Sequence, residues 1–435
     1  MRILNPVIHI LSANDFVKKV SILVSGTALS QFVAILAMPV LTRIYTPEQF
    51  GFYSIYLAIL FSLSVIVSMQ YEMAIPHPES DRDAFHILCT AMLFVVSVSI
   101  SVFIFILYFQ DVIANWMNVD HIRMNLLFIP ISLLGLGTYQ VFNVWLIRKE
   151  SYPSMTKGKV TMNISQVVGQ LTFGLLSFGS LGLVVGDVAG RVGGSSFLGK
   201  SMWRDLKEGV KGFSPKLLKQ VSIRYKKFPM VSSISSIINE LSLHLPLLFV
   251  AFSFGPKVAG LYMLAQRILT LPDALVGFSV KQVYLSESTK QARVSYESFR
   301  SLYWQTLKKM SWLGVIVIGC IALLSPLVFG MFFGDNWSES GSYVQVLAIL
   351  YLFQLITGPT LINFYVLECQ WLQIISETIR LIIIVGAAIV AHYFIQSTFI
   401  TIAVLSIAAS IGYLVLLYFS WYSMRLKLKG ADGIG

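Results

Sequence analysis

Apolar residues run through this chain in long blocks that are separated by short polar corners. A helix needs about 20 mostly apolar residues to cross the hydrocarbon of a bilayer. Twelve segments approach that length, at residues 20–44, 50–74, 84–109, 123–147, 159–178, 181–199, 229–254, 258–280, 310–333, 342–366, 372–395 and 397–422. The pattern therefore predicts an all-α polytopic membrane protein with about twelve transmembrane helices.

The composition agrees with this class. Of 435 residues, 56% are hydrophobic and only 12% are charged, whereas soluble domains carry roughly a quarter charged residues. Three cysteines, Cys89, Cys320 and Cys369, lie in or beside apolar runs and form no C-x-x-C spacing. We predict them to be small buried apolar residues, and we predict no metal and no cofactor.

The formal net charge of +11 is explained by topology rather than by a nucleic-acid partner. With twelve spans, one set of loops and both termini hold 26 of the 32 basic residues, including Arg2, Lys18 and Lys19. The opposite loops hold only Arg43, Arg123 and Lys257. Because cytoplasmic loops collect Lys and Arg, both termini are predicted to be cytoplasmic.

A basic connection at 200–228 divides the spans into two sets of six, a lobe at 1–199 and a lobe at 229–435. Five residues of the first hairpin match five of the seventh and eighth spans at one constant offset, namely Pro47, Gly51, Tyr53, Ile59 and Leu60 with Pro256, Gly260, Tyr262, Ile268 and Leu269. Pro39 and Pro246 are predicted to interrupt the first helix of each half. Proline and glycine also make ordinary turns, but the paired match favours a parallel repeat, which is typical of transporters.

The first hairpin resembles that of Wzx-type polysaccharide flippases in the segment SGTALSQFVAILAMPVLTRIYTPEQFGFYS. The resemblance continues through YEMAIPHPES, KKFPM, GLYMLAQRILTLP and PLVFGMFFGDNWSESG, and so covers nearly the whole chain. These flippases belong to the multidrug/oligosaccharidyl-lipid/polysaccharide (MOP) exporter superfamily. The resemblance implies two six-helix lobes of the MATE/MOP type around a central cavity, in a multi-pass protein of the bacterial inner membrane.

The same resemblance implies a cargo and a pathway. The cargo would be undecaprenyl-diphosphate-linked oligosaccharide, turned from the inner to the outer leaflet for O-antigen, lipopolysaccharide or capsule assembly. The implied protein partners are a polysaccharide polymerase and chain-length proteins.

Ionisable side chains inside the spans are candidate site residues, because each costs at least ~2.5–3.5 kcal/mol near the bilayer centre. They are Asp187, Arg191, Glu240, His244, Arg267, Asp273, Glu377, Arg380 and His392. At ~1.5 Å per helical residue, Glu240 lies ~18 Å from the cytoplasmic side and Arg267 ~15 Å from the outer side. Both are therefore placed near the midplane, and Glu240 is predicted to be the partner of Arg267 when the site is empty.

Arginine suits a diphosphate because its guanidinium stays charged and offers forked donors. Arg267 is predicted to contact the diphosphate first, with Arg43, Arg191 and Arg380 as further contacts. Four carboxylates are candidate ion-coupling groups or charge partners, namely Glu240, Asp187, Asp273 and Glu377. The spacings of Asp187 with Arg191 and of Glu377 with Arg380 equally allow simple neutralisation on one helix.

Three functions fit these observations to different degrees. The first is a lipid-linked oligosaccharide flippase, which needs no covalent chemistry and is not an enzyme. The second is an ion-coupled small-molecule or drug antiporter on the same fold, which the intramembrane arginines disfavour for cationic drugs. The third is a membrane glycosyltransferase or polymerase, against which the short outer loops argue. The sequence contains no H-E-x-x-H or G-x-S-x-G motif.

Overall fold

The computed structural model describes residues 29–116, 122–226, 233–292 and 294–429. The predicted cytoplasmic charges Arg2, Lys18, Lys19, Lys227 and Arg293 lie outside these ranges. All regular elements within the ranges are helical, and the long helices are α1 Leu29–Ile44, α2 Pro47–Ser64, α3 Asp81–Trp116, α5 Ile129–Arg148, α6 Tyr152–Leu175, α7 Ser180–Ser201, α10 Ser233–Phe254, α11 Pro256–Leu269, α12 Phe278–Gln291, α13 Tyr296–Phe333, α14 Ser338–Thr357, α16 Gln370–Phe394 and α17 Thr398–Met424. Shorter helices are α4 Ile122–Leu127, α8 Trp203–Lys211, α9 Pro215–Arg224 and α15 Asn363–Val366.

The predicted all-α membrane fold is confirmed. Among the described residues, seven helices are long and apolar enough by length and composition to cross a membrane, namely 81–112, 123–148, 233–254, 296–333, 335–357, 370–394 and 398–427. The helices α1, α2, α6, α7 and α11 carry more polar residues or are shorter, and they correspond to the five remaining predicted spans.

The chain forms two compact units. The first comprises the described residues up to Ala37 together with Leu63–Ser233, and the second comprises Met38–Ser62 together with the residues from Ile234 onward. These units are defined by which residues lie close together in space. The lobes at 1–199 and 229–435 are defined by the sequence repeat, and they remain a prediction.

Glycines bring α6 and α7 close together in the first unit. Gly186, Gly190 and Gly194 recur every four residues along one face of α7. A Cβ atom on Gly190 would lie only 2.8 Å from the backbone oxygen of Met162 on α6. Small residues at this spacing let membrane helices approach until their backbones touch, so this pair is held by packing rather than by a hydrophobic driving force.

In the second unit, the sequence-matched residues of α2 and α11 contact one another reciprocally. A Cβ atom on Gly51 would lie 1.7 Å from the backbone oxygen of Pro256, and one on Gly260 would lie 1.8 Å from that of Pro47. The first five residues of α2 and the first five of α11 therefore cross with no room for a side chain at either glycine. The match found in the sequence is thus also a contact in space.

Trp337, in the short turn between α13 and α14, contacts residues on both sides of the start of α2. The Trp337 indole Nε1 donates a hydrogen bond of 2.8 Å to the backbone oxygen of Thr42, near the end of α1. Its ring packs edge-on against Phe50, with centroids 5.0 Å apart. Only 1% of Trp337 is exposed, so its indole N–H depends on this one acceptor.

Two predicted features of the backbone are wrong. The second span was expected to reach residue 74, but α2 ends at Ser64 and the chain turns at Met69 and Gln70, which have φ of 51° and 57°. Pro39 and Pro246 were expected to interrupt their helices, but α1 and α10 continue past them. A proline removes one donor, and a membrane helix tolerates this loss where neighbouring groups satisfy the freed carbonyl.

The eighth span and one cysteine also differ from expectation. The span predicted at 258–280 is not one straight helix, because α11 ends at Leu269 and a π-helical turn at Asp273–Gly277 precedes α12. Cys369 is buried as predicted and Cys89 is half-buried, but Cys320 is exposed on α13. An exposed thiol on an apolar span faces lipid, where a small apolar residue is equally stable.

We expect Gly51→Ala and Gly260→Ala to destabilise the protein. The added methyl cannot fit against backbone atoms, and overpacking of this kind costs about 1–3 kcal/mol. Thermal unfolding of purified protein in detergent measures the effect. Gly386→Ala is the matched control, because a Cβ atom at Gly386 on α16 meets nothing within 4 Å. Equal unfolding temperatures for all three variants would show that the crossing is not as tight as described.

Candidate functional site

Two adjacent cavities lie in the second unit. Their volumes are about 180 and 190 Å³. His244 on α10, Gln266 on α11 and Thr270 just after α11 line both of them, and therefore form the wall between them. Arg267 lines the first cavity, and Arg380 lines the second. We refer to them as the Arg267 cavity and the Arg380 cavity.

The Arg267 cavity lies between α2, α10 and α11. Apolar and small side chains from α2 form one wall, including Leu57, Ala58 and Phe61. Arg267 is half-buried, and among the described residues no carboxylate forms an ion pair with it. A half-buried guanidinium beside an open cavity, without a carboxylate partner, is available to an anionic ligand.

His244 and Glu240 occupy the neighbouring face of α10. The Glu240 carboxylate lies 3.2 Å from the His244 imidazole Nε2, one helical turn away. The imidazole stacks on the Phe61 ring at a centroid distance of 5.7 Å. The sequence suggested that Glu240 partners Arg267 when the site is empty, but in this structure its partner is His244.

The local sequence explains how Arg267 reaches this position. α11 starts after Gly255, whose φ of 84° only glycine adopts easily, and Pro256 occupies the first turn, where its missing donor costs nothing. Beyond Thr270 the backbone widens into the π-helical turn. Such turns occur frequently at functional sites, since they redirect the side chains that flank them.

The Arg380 cavity is bordered by a buried charged cluster. Arg380 and Glu377 are 2% and 1% exposed, and the Arg380 Nη2 lies 2.8 Å from the Glu377 Oε2. The same Nη2 donates to the Asn239 side-chain oxygen at 3.0 Å. The guanidinium also lies over the Tyr413 ring, 5.1 Å from its centroid.

This cluster is incompletely hydrogen-bonded. The Arg380–Glu377 contact is short but poorly aligned, so the Glu377 Oε2 and the Arg380 Nε both lack a hydrogen-bond partner among the described residues. Gly412 lets Arg380 approach α17, since a Cβ atom there would lie 2.2 Å from the Arg380 Cγ. Buried polar atoms left unsatisfied are uncommon and need an explanation, such as a water or a proton that the cluster binds.

In the first unit, Asp187 and Arg191 form a self-contained ion pair on α7. The Arg191 Nε lies 2.5 Å from one carboxylate oxygen and the Nη2 lies 3.0 Å from the other. Both residues are buried, and Gln166 on α6 donates a longer bond of 3.4 Å to the same carboxylate. A forked pair of this kind satisfies both charges, so Arg191 is committed to Asp187.

The remaining candidates lie away from the two cavities. Arg43 is exposed near the end of α1 and lines neither cavity. Asp273 pairs with Lys281 across the π-helical turn, with both carboxylate oxygens 3.2 Å from the Lys281 Nζ. Of the four arginines predicted for the diphosphate, the structure thus places Arg267 and Arg380 beside the cavities. Of these two, only Arg267 lacks an ion-pair partner among the described residues.

Sequence reasoning missed Asn239, Tyr413 and Gln266 as members of this site. Nothing in the spacing of Asn239 links α10 to α16. Tyr413 lies on α17 and Gln266 on α11, and only tertiary packing brings them to the Arg380 cavity. The i,i+3 spacing of Glu377 and Arg380 was the one available signal for this cluster.

The chemistry of these residues is that of binding. The cavities offer guanidinium, amide, hydroxyl and imidazole groups, which can hold an anion by hydrogen bonds. Among the described residues, no group of three or more His, Cys, Asp or Glu could hold a metal ion. These groups make the two cavities a candidate binding site for an anion.

A comparison with protein-family models identifies the family of this chain. Residues 40–342 match the model of a family described as polysaccharide biosynthesis protein. The match covers most of the chain, and the chain belongs to this family. No curated protein sequence gives a match.

Solved structures share the fold. An inward-facing MATE-family multidrug resistance transporter of the MOP superfamily superimposes with a TM-score of 0.74 at 16% identity, covering 93% of this chain and 96% of the other. The lipid II flippase MurJ in an inward closed conformation gives 0.67 at 14% identity, covering 92% and 87%. A MOP-superfamily transporter from Pyrococcus furiosus gives 0.64 at 15% identity, covering 95% and 96%. At these identities the likeness establishes a MATE/MOP-like fold.

We expect Glu377→Gln to destabilise the protein strongly, because it leaves the buried Arg380 guanidinium without a counter-charge. Removing one partner of a buried pair costs about 3–5 kcal/mol. Glu287→Gln is the matched control, since Glu287 also pairs at i,i+3, with Lys290, but their side chains are 40% and 65% exposed. That exposed pair should contribute less than about 1 kcal/mol. Unfolding midpoints in detergent compare the two variants, and equal shifts would contradict the burial of the cluster.

Proposed function

We propose that this protein is a flippase for undecaprenyl-diphosphate-linked oligosaccharide in the bacterial inner membrane. The observation that carries the proposal is Arg267, a half-buried arginine without a carboxylate partner among the described residues, facing a cavity inside a membrane fold. Membership of the polysaccharide biosynthesis family supports a saccharide cargo. The MOP-type fold supports transport.

The charge of the Arg267 cavity indicates which part of the cargo it can bind. Among the residues that line it, Arg267 is the one that carries a permanent charge, and the others are apolar or neutral polar side chains and His244. The diphosphate is the charged part of the cargo, and a guanidinium suits it. We therefore assign this cavity to the diphosphate, while the sugars occupy wider space outside it and the polyprenyl tail stays in lipid.

The charge of the site favours this cargo over a cationic drug. Arg267 brings positive charge to one of two cavities that share a wall, whereas in the other the charge of Arg380 is compensated by Glu377. A cationic ligand would meet an uncompensated guanidinium in a medium of low dielectric constant, where repulsion is strong. An anionic ligand would instead gain charge-assisted hydrogen bonds.

Turning the cargo over requires no covalent step from the protein. The proposed cycle is alternating access, in which the lobes at 1–199 and 229–435 open in turn to the two sides of the membrane. The Glu240–His244 pair beside the Arg267 cavity is the candidate for coupling the cycle to a proton, because a carboxylate and an imidazole 3.2 Å apart can hold a proton between them. An ion-coupled drug antiporter is the second candidate function, and this same pair is the observation that favours it.

Substitutions of Arg267 test the proposal. We expect Arg267→Ala to lower surface-polysaccharide export at least about tenfold, since charge-assisted hydrogen bonds contribute ~1.5–3 kcal/mol each. Arg267→Lys should restore only part of the export, because an ammonium keeps the charge but loses the fork. Glu240→Gln should be mild if Glu240 only holds His244, and severe if the pair carries a coupling proton.

The measurement is surface polysaccharide in a deletion strain complemented with each variant at matched membrane levels. Arg300→Ala is the control for loss of one arginine, because Arg300 is half-exposed at the start of α13 and pairs only with the exposed Glu297 at 3.6 Å among the described residues. Normal export by Arg267→Ala would remove Arg267 from the site.

A further inference from the structure

The basic connection between the two predicted lobes forms helices α8 and α9, which pack on other parts of the first unit. The Trp145 indole Nε1 donates a hydrogen bond of 2.9 Å to Asp205 on α8. Further along, the Ser214 backbone N–H donates to the His86 Nε2 at 3.0 Å, and the Tyr71 hydroxyl donates to the backbone oxygen of Ser222 on α9 at 3.0 Å. This segment is therefore not a free tether.

One side of α8 is used for this docking. Asp205 and Gly209 are one turn apart, and they face α5 and α3 of the same unit. Gly209 is required there, because a Cβ atom would lie 2.3 Å from the Phe85 ring. The other sides of α8 take no part in these docking contacts.

The free circumference of α8 is divided into two adjacent stripes. Trp203, Leu206 and Val210 follow the i, i+3, i+7 spacing and form an apolar stripe. Arg204, Lys207 and Lys211 follow the same spacing one residue later, about 100° around the helix, and form a basic stripe. Trp203 is 57% exposed and Val210 is 66% exposed, so the apolar stripe has little cover from the protein.

The order of these stripes around the helix is that of a helix lying in a membrane interface. Counted at ~100° per residue around the helix axis, the docking side of α8 is followed by the apolar stripe and then by the basic stripe. A helix at a bilayer surface buries its apolar stripe among the acyl chains and holds its basic side chains at the headgroups. The Lys207 Nζ lies 5.4 Å from the Trp203 ring centroid, so the two stripes meet at a cation–π contact.

We infer that α8 is an interfacial helix that binds the anionic phospholipid headgroups of the cytoplasmic leaflet, and thereby fixes the basic connection to the membrane surface. α8 follows α7 after a single residue, so it starts where a predicted span leaves the bilayer on the basic, cytoplasmic side. The charge of the basic stripe complements that of anionic lipids. This inference does not depend on the identity of the cargo.

Spin labels on α8 test the inference. In the full-length protein with its three cysteines replaced by alanine, a label is placed at Val210→Cys or, as the control position on the opposite edge, at Glu208→Cys. Each protein is reconstituted into vesicles of phosphatidylcholine alone or with phosphatidylglycerol. The readout is the ratio of label accessibility to oxygen, which partitions into lipid, over accessibility to a water-soluble nickel complex.

We expect the ratio at position 210 to rise at least about twofold when phosphatidylglycerol is present, while position 208 stays water-exposed. The double substitution Lys207→Glu, Lys211→Glu should abolish that rise, because each basic residue strengthens binding to an anionic surface roughly fivefold. The double substitution Lys308→Glu, Lys309→Glu on α13 changes the charge equally and should leave the rise intact.

Three results would overturn the inference. The first is a label at 210 that stays water-exposed in both vesicles. The second is a label at 210 that is lipid-exposed to the same degree without phosphatidylglycerol. The third is an equal loss of the rise in the α8 and α13 charge-reversal variants, which would show that overall charge and not α8 mediates the effect.

Discussion

The high cost of an uncompensated charge inside a bilayer organises this structure. Water cannot solvate a buried guanidinium or carboxylate there, so each must find a partner or a cavity. Arg191 meets Asp187 in a forked pair, and Arg380 meets Glu377, Asn239 and Tyr413. Arg267 has no ion-pair partner among the described residues and lines a cavity instead. The same rule therefore sorts the intramembrane arginines into two that are already neutralised and one that is available to an anionic ligand.

The tight crossing of α2 and α11 holds the backbone on one side of the cavity that Arg267 lines. Both helices line the Arg267 cavity, and their first turns touch through the reciprocal contacts of Gly51 and Gly260. The geometry of the cavity is therefore set at its α2–α11 side by backbone packing rather than by flexible side chains. A rigid frame of this kind lowers the cost of holding the guanidinium ready for a ligand.

Much of the fold could be predicted from the sequence, because apolar length and the positive-inside pattern act along the chain and need no tertiary information. The i,i+3 and i,i+4 charge pairs were also readable, since a helix fixes their spacing. Depth alone suggested an interhelical Glu240–Arg267 pair. In the structure, Glu240 instead pairs with His244 on its own helix. Contacts such as Asn239 with Arg380 were not predictable, because they depend on how α10 packs against α16. The π-helical turn at Asp273–Gly277 left no hydrophobic signature of its own.

The central claim is that this protein moves a lipid-linked diphosphate across the membrane without chemical conversion. The most direct measurement is the transbilayer movement of a fluorescent polyprenyl-diphosphate oligosaccharide in vesicles that contain only the purified protein, followed by a membrane-impermeant quencher. We expect the protein to speed movement of the diphosphate-linked compound well above that in protein-free vesicles, with the compound recovered unchanged. Movement no faster than in protein-free vesicles, or recovery of polymerised or hydrolysed sugar, would contradict the account.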